Sequence, residues 1–193
     1  MTTSPMLQIS VDGPIATLTM TRPGKRNAMC EELLHAIDAF YSAPHEGVRV
    51  VVLTGTEGHY CSGLDLSEHV QRSAEENLYH SRDWHRVMES IQFGGLITVS
   101  AMFGAVIGGG MELAASTQVR IAEPSTIFQL PEGRRGIFVG GGATARVSRI
   151  IGADRMTEMM LTGRKYSAEE GLNLGLAHYA VGDGEALGLA QTL

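Results

Sequence analysis

Val106-Ile107-Gly108-Gly109-Gly110-Met111-Glu112-Leu113 is the stretch on which the reading of this chain turns. Two β-branched apolar residues suit a buried strand. Three consecutive glycines end it, and an apolar helix start follows. A strand running through such a turn into a helix presents free backbone N–H groups at the positive end of a helix dipole. An anion or a developing oxyanion is stabilised there. The plainer use of the turn is close packing. Glu112 falls in the first helical turn, where a carboxylate complements the dipole by about 0.3–1 kcal/mol. Its neighbours Met111, Leu113, Ala114 and Ala115 add a second meaning, because a carboxylate among them is partly buried and needs a reason to be there.

The uncharged run around this motif, residues 93–111, is long enough to cross a membrane. Six of its residues are Gly, and Thr98 and Ser100 interrupt it. A buried strand, a turn and a helix start fit better. On the N-terminal side, Leu7, Ile9 and Val11, then Asp12-Gly13-Pro14, then Ile15, Thr17 and Thr19 predict two strands and a tight turn. Residues 31–41 carry Leu33, Leu34, Ile37 and Phe40 at helical spacing. Residues 48–53 read as a buried strand, 75–91 as a long helix and 96–102 as a strand. Residues 119–122 and 126–129 read as strands, and 144–151, 156–161 and 168–174 as helices. Residues 184–193 end in a helical pattern with apolar Ala186, Leu187, Leu189 and Leu193. Strands alternating with helices predict an α/β fold, read as a single domain over 1–193 with a core of about 7–181.

Composition bounds the function. The 193 residues carry 15 Lys+Arg against 21 Asp+Glu, a net charge of −6, with 44% hydrophobic and 19% charged residues. That excludes a disordered chain. The absence of a Lys/Arg cluster argues against a nucleic-acid partner. Only Cys30 and Cys61 are present, so a disulfide framework is excluded and reduced thiols are expected. Residues 1–10 have neither a basic segment nor an apolar one. A cytoplasmic protein with no membrane partner is the expectation. His80 and His85 lie on different helix faces, so no metal site is expected.

Two further segments carry polar chemistry. His59-Tyr60-Cys61-Ser62-Gly63-Leu64-Asp65-Leu66 contains Ser, His and Asp. It lacks a G-x-S-x-G elbow, and proximity in sequence is not triad geometry. A second glycine turn with free N–H groups is the better reading. Gln129-Leu130-Pro131-Glu132-Gly133 places another carboxylate before Arg134 and Arg135. Taken alone, Glu132 would be a surface ion pair of little worth. Gly140-Gly141-Gly142 opens a further helix.

In order along the chain, these segments resemble the enoyl-CoA hydratase/isomerase (crotonase) family. The resemblance rests on Thr21-Arg22-Pro23 with Arg26-Asn27-Ala28, Tyr60 to Leu66, Gly108 to Leu113, Gln129 to Glu132, Gly140 to Arg146, Leu161-Thr162-Gly163 and Gly171 to Ala177. It implies a spiral of ββα units with two roughly perpendicular sheets. It also implies a C-terminal helical region that is missing after Leu193. The implied substrate is an acyl-CoA thioester passing through an enolate, with no cofactor beyond the coenzyme A of the substrate. The implied assembly is a homotrimer or a dimer of trimers.

By the same resemblance the oxyanion-hole amides fall on Leu64 and Gly109. The catalytic carboxylates fall on Glu112 and Glu132, facing one water. A side chain at Gly109 is expected to fill the place of the thioester oxygen. Ser62, Gly63 and Asp65 would adjoin the substrate. Lys25 and Arg26 would meet CoA phosphates, and Tyr60, Phe138 and residues 67–79 would line the acyl pocket. Departures from the family pattern are Val139 where Pro is usual, Arg134-Arg135, and Leu64 where Ala is common. Keeping both carboxylates favours hydration. Double-bond isomerisation, hydratase–lyase action on an aromatic enoyl-CoA, and non-catalytic binding of CoA esters are the alternatives.

Overall fold

The computed structural model describes residues 4–68 and 73–193. Residues 69–72, within the segment expected to line an acyl pocket, lie outside the described residues. The antiparallel hairpin of β1 (Leu7–Asp12) and β2 (Ile15–Met20) opens the chain, paired from Leu7 with Met20 to Asp12 with Ile15. Parallel strands then add one beside another to β2. They are β3 (Val50–Thr54), β4 (Ile97–Met102), β6 (Val119–Ala122) and β9 (Tyr179–Ala180). A second sheet holds β5 (Ala105–Ile107), β7 (Ile127–Gln129) and β8 (Lys165–Ser167) in that order.

The chain alternates between the two sheets. β4 lies in the first and β5 in the second, β6 in the first and β7 in the second. In the preceding turn β3 lies in the first sheet, and Cys61 supplies a single parallel bridge to Val106 of the second. Each turn of this spiral therefore deposits one strand on each sheet, as the resemblance implied. The corner between β4 and β5 needs Gly104, whose φ is +56°. A Cβ there would drive into the Gly58 carbonyl. The polar interruptions Thr98 and Ser100 of β4 are fully buried and hydrogen-bond the buried Tyr41 and Tyr60 hydroxyls at 2.8 and 2.9 Å. They satisfy hydroxyls that burial would otherwise leave costly.

The helices begin and end where local chemistry dictates. α1 (Glu31–Ser42) buries Leu33, Leu34, Ile37, Phe40 and Tyr41. α2 (Ala74–Phe93) starts one residue before the periodic pattern because Ser73 and Glu76 form a reciprocal cap, which satisfies two orphan donors. α3 (Gly109–Ala115) is buried at every residue. α4 (Ala143–Ile151) and α5 (Ala153–Thr162) meet at Gly152, and α6 (Ala168–Leu174) matches its expected range. Strands β8 and β9 carry no expectation from the sequence, being three and two residues long and too short for alternation to register.

α7 (Ala186–Thr192) packs on the outer face of the first sheet. There Ala186 and Ala190 are buried with Val52, Val99, Ala101 and Ile121, and Leu189 packs against them. The apolar residues near the end of the chain are thus partly covered by the chain's own sheet, and Leu187 and Leu193 are the exposed ones. No described helix is long and apolar enough to cross a membrane.

Candidate active site

The first donor arises in the loop after β3. Met29 N–H donates to the Gly63 carbonyl at 2.8 Å, and Asp65 N–H donates to the Met29 carbonyl at 2.9 Å, which pins the intervening Leu64. Gly63 has φ +91°, and a Cβ there would sit 2.6 Å from the Ile107 carbonyl oxygen and 3.0 Å from the Gly109 nitrogen. Only a residue without Cβ lets the two glycine turns touch. Among the described residues neither the Leu64 nor the Gly109 amide donates to another protein group. Both residues line one cavity of about 190 Å³.

Two carboxylates open on the same cavity. Glu112, from α3, is 3% exposed. Its Oε1 accepts from the amides of Gly141 at 2.8 Å and Ala143 at 2.9 Å. Burial pushes its pKa up to about 7, and the neighbouring Glu132 charge adds to the rise. The two amides and Arg146 oppose it. Glu132 lies in a 3₁₀ turn, Glu132–Arg135, and is 7% exposed. Burial raises its pKa also. Its Oε2 is buried without a hydrogen-bond partner among the described residues. A buried polar atom left unsatisfied costs free energy, so Glu132 is no surface ion pair. Two interacting acids titrate as a pair, and at neutral pH such a pair favours sharing one proton.

The other expected site residues divide. Phe138 lines the cavity and is 65% exposed. Ser62 and Gly63 line an adjoining hollow of about 40 Å³, although the Ser62 hydroxyl is turned to the Lys25 carbonyl. Tyr60 does not line the cavity. It is fully buried with its hydroxyl on Ser100, because it belongs to the core between the sheets. Asp65 does not line the cavity either. It is paired with Arg22 at 2.8 Å and Lys25 at 3.5 Å, and it accepts from the Ser67 hydroxyl at 2.7 Å. Lys25 is thereby engaged by Asp65 and Ser67, Arg26 is exposed, and neither lines the cavity.

Asp65 therefore holds the loop that carries Leu64. The Ser67 hydroxyl and the Arg22 guanidinium keep its carboxyl well below the usual carboxylate range. The stabilisation is present above the unfolded-state pKa and is lost only as pH falls through the depressed folded value. Asp65→Asn is expected to lower stability near pH 7 by about 2 kcal/mol, the scale of a hydrogen bond to a charged group. Thermal unfolding from pH 7 down to strong acid checks this. The gap between parent and variant should close only at the acid end.

Of the segment 67–79, Asn77 of α2 lines the cavity. The sequence did not assign a site role to His80, Ser81 or Trp84, which line it beyond that segment, with the His80 and Trp84 rings stacked at 6.2 Å. Trp84 falls in register with Val87, Met88 and Ile91 on the buried face of the helix. Its periodicity therefore reads as core, and only its position beside Gly109 gives it a second role. Among the described residues no cluster of side chains fits a metal ion.

The chain and its fold have counterparts among known proteins. A family model described as enoyl-CoA hydratase/isomerase matches residues 11–190. The chain is 36% identical over 177 residues to enoyl-CoA hydratase domain-containing protein 2, mitochondrial, of Bos taurus, covering 89% of this chain and 59% of that protein. It thus spans under two thirds of that relative's length. A solved structure from Rhodopseudomonas palustris, assigned as an enoyl-CoA hydratase, superposes with a TM-score of 0.93 at 44% identity, covering 97% of this chain and 74% of that one. A Thermobifida fusca protein with the same assignment, solved in complex with CoA, gives a TM-score of 0.86 at 25% identity, covering 97% and 76%.

Proposed function

The chain belongs to the enoyl-CoA hydratase/isomerase family, and from that premise we propose that it adds water across the 2,3-double bond of an enoyl-CoA thioester. The observation that carries this reading is the pair of buried carboxylates, Glu112 and Glu132, on the wall that also presents Leu64 and Gly109.

The thioester oxygen accepts from the Leu64 and Gly109 amides. Such preorganised donors act where charge develops and need no reorganisation during reaction. A substrate water lies between the two carboxylates, which share one proton. As its oxygen bonds to C3, the ionised carboxylate takes a proton from it. The π electrons move through C2 onto the thioester oxygen, and the enolate forms. When the enolate collapses, C2 takes the proton of the other carboxyl. H and OH are added to the substrate, and the pair again holds one proton. Moving a double bond needs no water and only one proton carrier, so two buried carboxylates favour hydration.

Coenzyme A enters as part of the substrate, and no separate cofactor is invoked. A homotrimer or dimer of trimers belongs to the same proposal. Sedimentation of the full-length protein as a stable monomer would count against that assembly.

The test of function is purified protein with crotonyl-CoA. Absorbance of the conjugated enoyl thioester should fall, and a 3-hydroxyacyl-CoA should be recovered. Recovery of a shifted double bond would instead make the protein an isomerase. Saturable binding without turnover across a panel of acyl-CoA esters would make it a binder only.

A further inference from the structure

Arg146 of α4 is a buried cation that the reaction scheme leaves unused. It is 8% exposed, and among the described residues no carboxylate lies within ion-pair distance of it. Its Nε donates to Gln92 Oε1 at 2.6 Å, and its Nη1 donates to the Gly141 carbonyl at 2.9 Å. Gly141 is also the residue whose amide donates to Glu112 at 2.8 Å. One glycine is therefore gripped from both sides, by the guanidinium on its carbonyl and by the carboxylate on its amide. Gln92, near the end of α2, anchors the guanidinium in turn.

The charged groups facing Glu112 are Glu132 from the 3₁₀ turn and Arg146 from α4. Those facing Arg146 are Glu89 of α2, Arg149 of α4 and Glu112 itself, with His85 of α2 against the same glycine turn. A buried guanidinium without a paired carboxylate is costly. Stability alone would be served as well by an apolar side chain.

We propose that Arg146 is a positioning residue for the proton transfer: it fixes from behind the turn that grips Glu112 and lays its charge towards that carboxylate. Its role rests on the reading of Glu112 as an acid–base group. The cation works against burial and against the Glu132 charge, which both favour the protonated acid. Without it Glu112 holds its proton to higher pH, and the limb of the pH profile that Glu112 sets moves up with it.

The test compares the parent with Arg146→Gln and Arg146→Lys. The first readout is a carbon-13 NMR titration of the glutamate carboxyl carbons, with the Glu112 signal identified by its loss in Glu112→Gln. The second is the pH profile of kcat on crotonyl-CoA. In Arg146→Gln the Glu112 midpoint should rise by about half a pH unit or more, because a nearby opposite charge has gone. Arg146→Lys keeps the charge and loses the planar fork. Its midpoint should stay near the parental one while kcat falls about tenfold through misplacement. KM should change little in both, since Arg146 does not line the cavity.

A parental Glu112 midpoint in Arg146→Gln, even with lowered thermal stability, overturns the proposal and leaves Arg146 a structural residue. If Arg146→Gln fails to fold, Arg146→Lys decides, and a parental kcat there sinks the positioning role. The titration reads Glu112 whether or not the protein hydrates anything. Failure of the hydratase reading, shown by Glu112→Gln at the parental rate, is therefore distinguishable from failure of this one.

Discussion

Gly109→Val is expected to abolish turnover of crotonyl-CoA while the fold is retained. A Cβ at Gly109 would lie 2.8 and 3.0 Å from two ring carbons of Trp84 and 3.2 Å from the Met29 methyl. The first atoms it meets belong to Trp84, which also lines the cavity and is 5% exposed. The start of α3 must shift away from Trp84, and the Gly109 amide shifts with it. Losing one oxyanion donor costs about 2.7–4 kcal/mol in comparable holes, or roughly 10²–10³ in rate. Overpacking a core costs about 1–3 kcal/mol, which a domain with ordinary stability survives. Initial rates and thermal melting, measured together, separate the two effects. Gly109→Ala carries the same Cβ with less bulk, so it serves if the valine variant does not fold. Parental turnover in a folded valine variant would remove Gly109 from the oxyanion hole.

Glu112→Gln and Glu132→Gln should each lower kcat by about 10²-fold or more, the usual scale for a positioned acid or base. Both changes keep the shape of the side chain and remove proton exchange. The double variant should lose far less than the product of the two, because residues acting on one water fail as a unit. Binding of a CoA ester should survive. In the parent, kcat should depend on pH on both sides of neutrality, since the working state has one carboxyl protonated and one ionised. Burial raises both acids, Glu112 to about 7, so the acid limb lies above the range of an ordinary exposed carboxylate. If Glu132→Gln hydrates at the parental rate, the two-carboxylate mechanism is wrong. If instead Glu112→Gln keeps an isomerase activity that Glu132→Gln loses, the protein is a single-carboxylate isomerase.

The parts of the fold legible in the sequence were those with enough length to show a period. α1 announced itself through Leu33, Leu34 and Ile37, and the hairpin through Ile9 and Val11 before Gly13 with Ile15 and Thr17 after it. β8 and β9 carry no such period and are held by pairing with β7 and β6. The site was legible where a backbone requirement wrote itself into residue type. Gly63 stands where two turns meet too closely for a Cβ, and Gly109 where a Cβ would run into Trp84 and Met29. Resemblance placed Glu112 and Glu132, and burial supports that placement.

Tyr60 and Asp65 misled because their residue types suit a pocket while their partners lie elsewhere. A hydroxyl bonded to Ser100 and a carboxylate closed on Arg22 are long-range pairings, and no local pattern reports them. Arg146 escaped attention for the same reason. Its partners, Gln92 and Gly141, come from different elements, and only the folded chain brings them to one guanidinium.

Both sheets grow in the order in which the chain is made, β1 through β9 in the first and β5, β7, β8 in the second. Each strand emerging from a ribosome therefore finds the edge it needs already laid down, with no later segment to wait for. The candidate site is completed in the same order. Leu64 precedes Gly109 and Glu112, Glu132 follows, and the amides of Gly141 and Ala143 that hold Glu112 come last. A chain ending before residue 141 would carry Leu64, Gly109 and Glu112 but neither of the two amides that hold the Glu112 carboxylate. Translation thus lays down the two glycine turns first, and the loop whose amides hold the Glu112 carboxylate comes last.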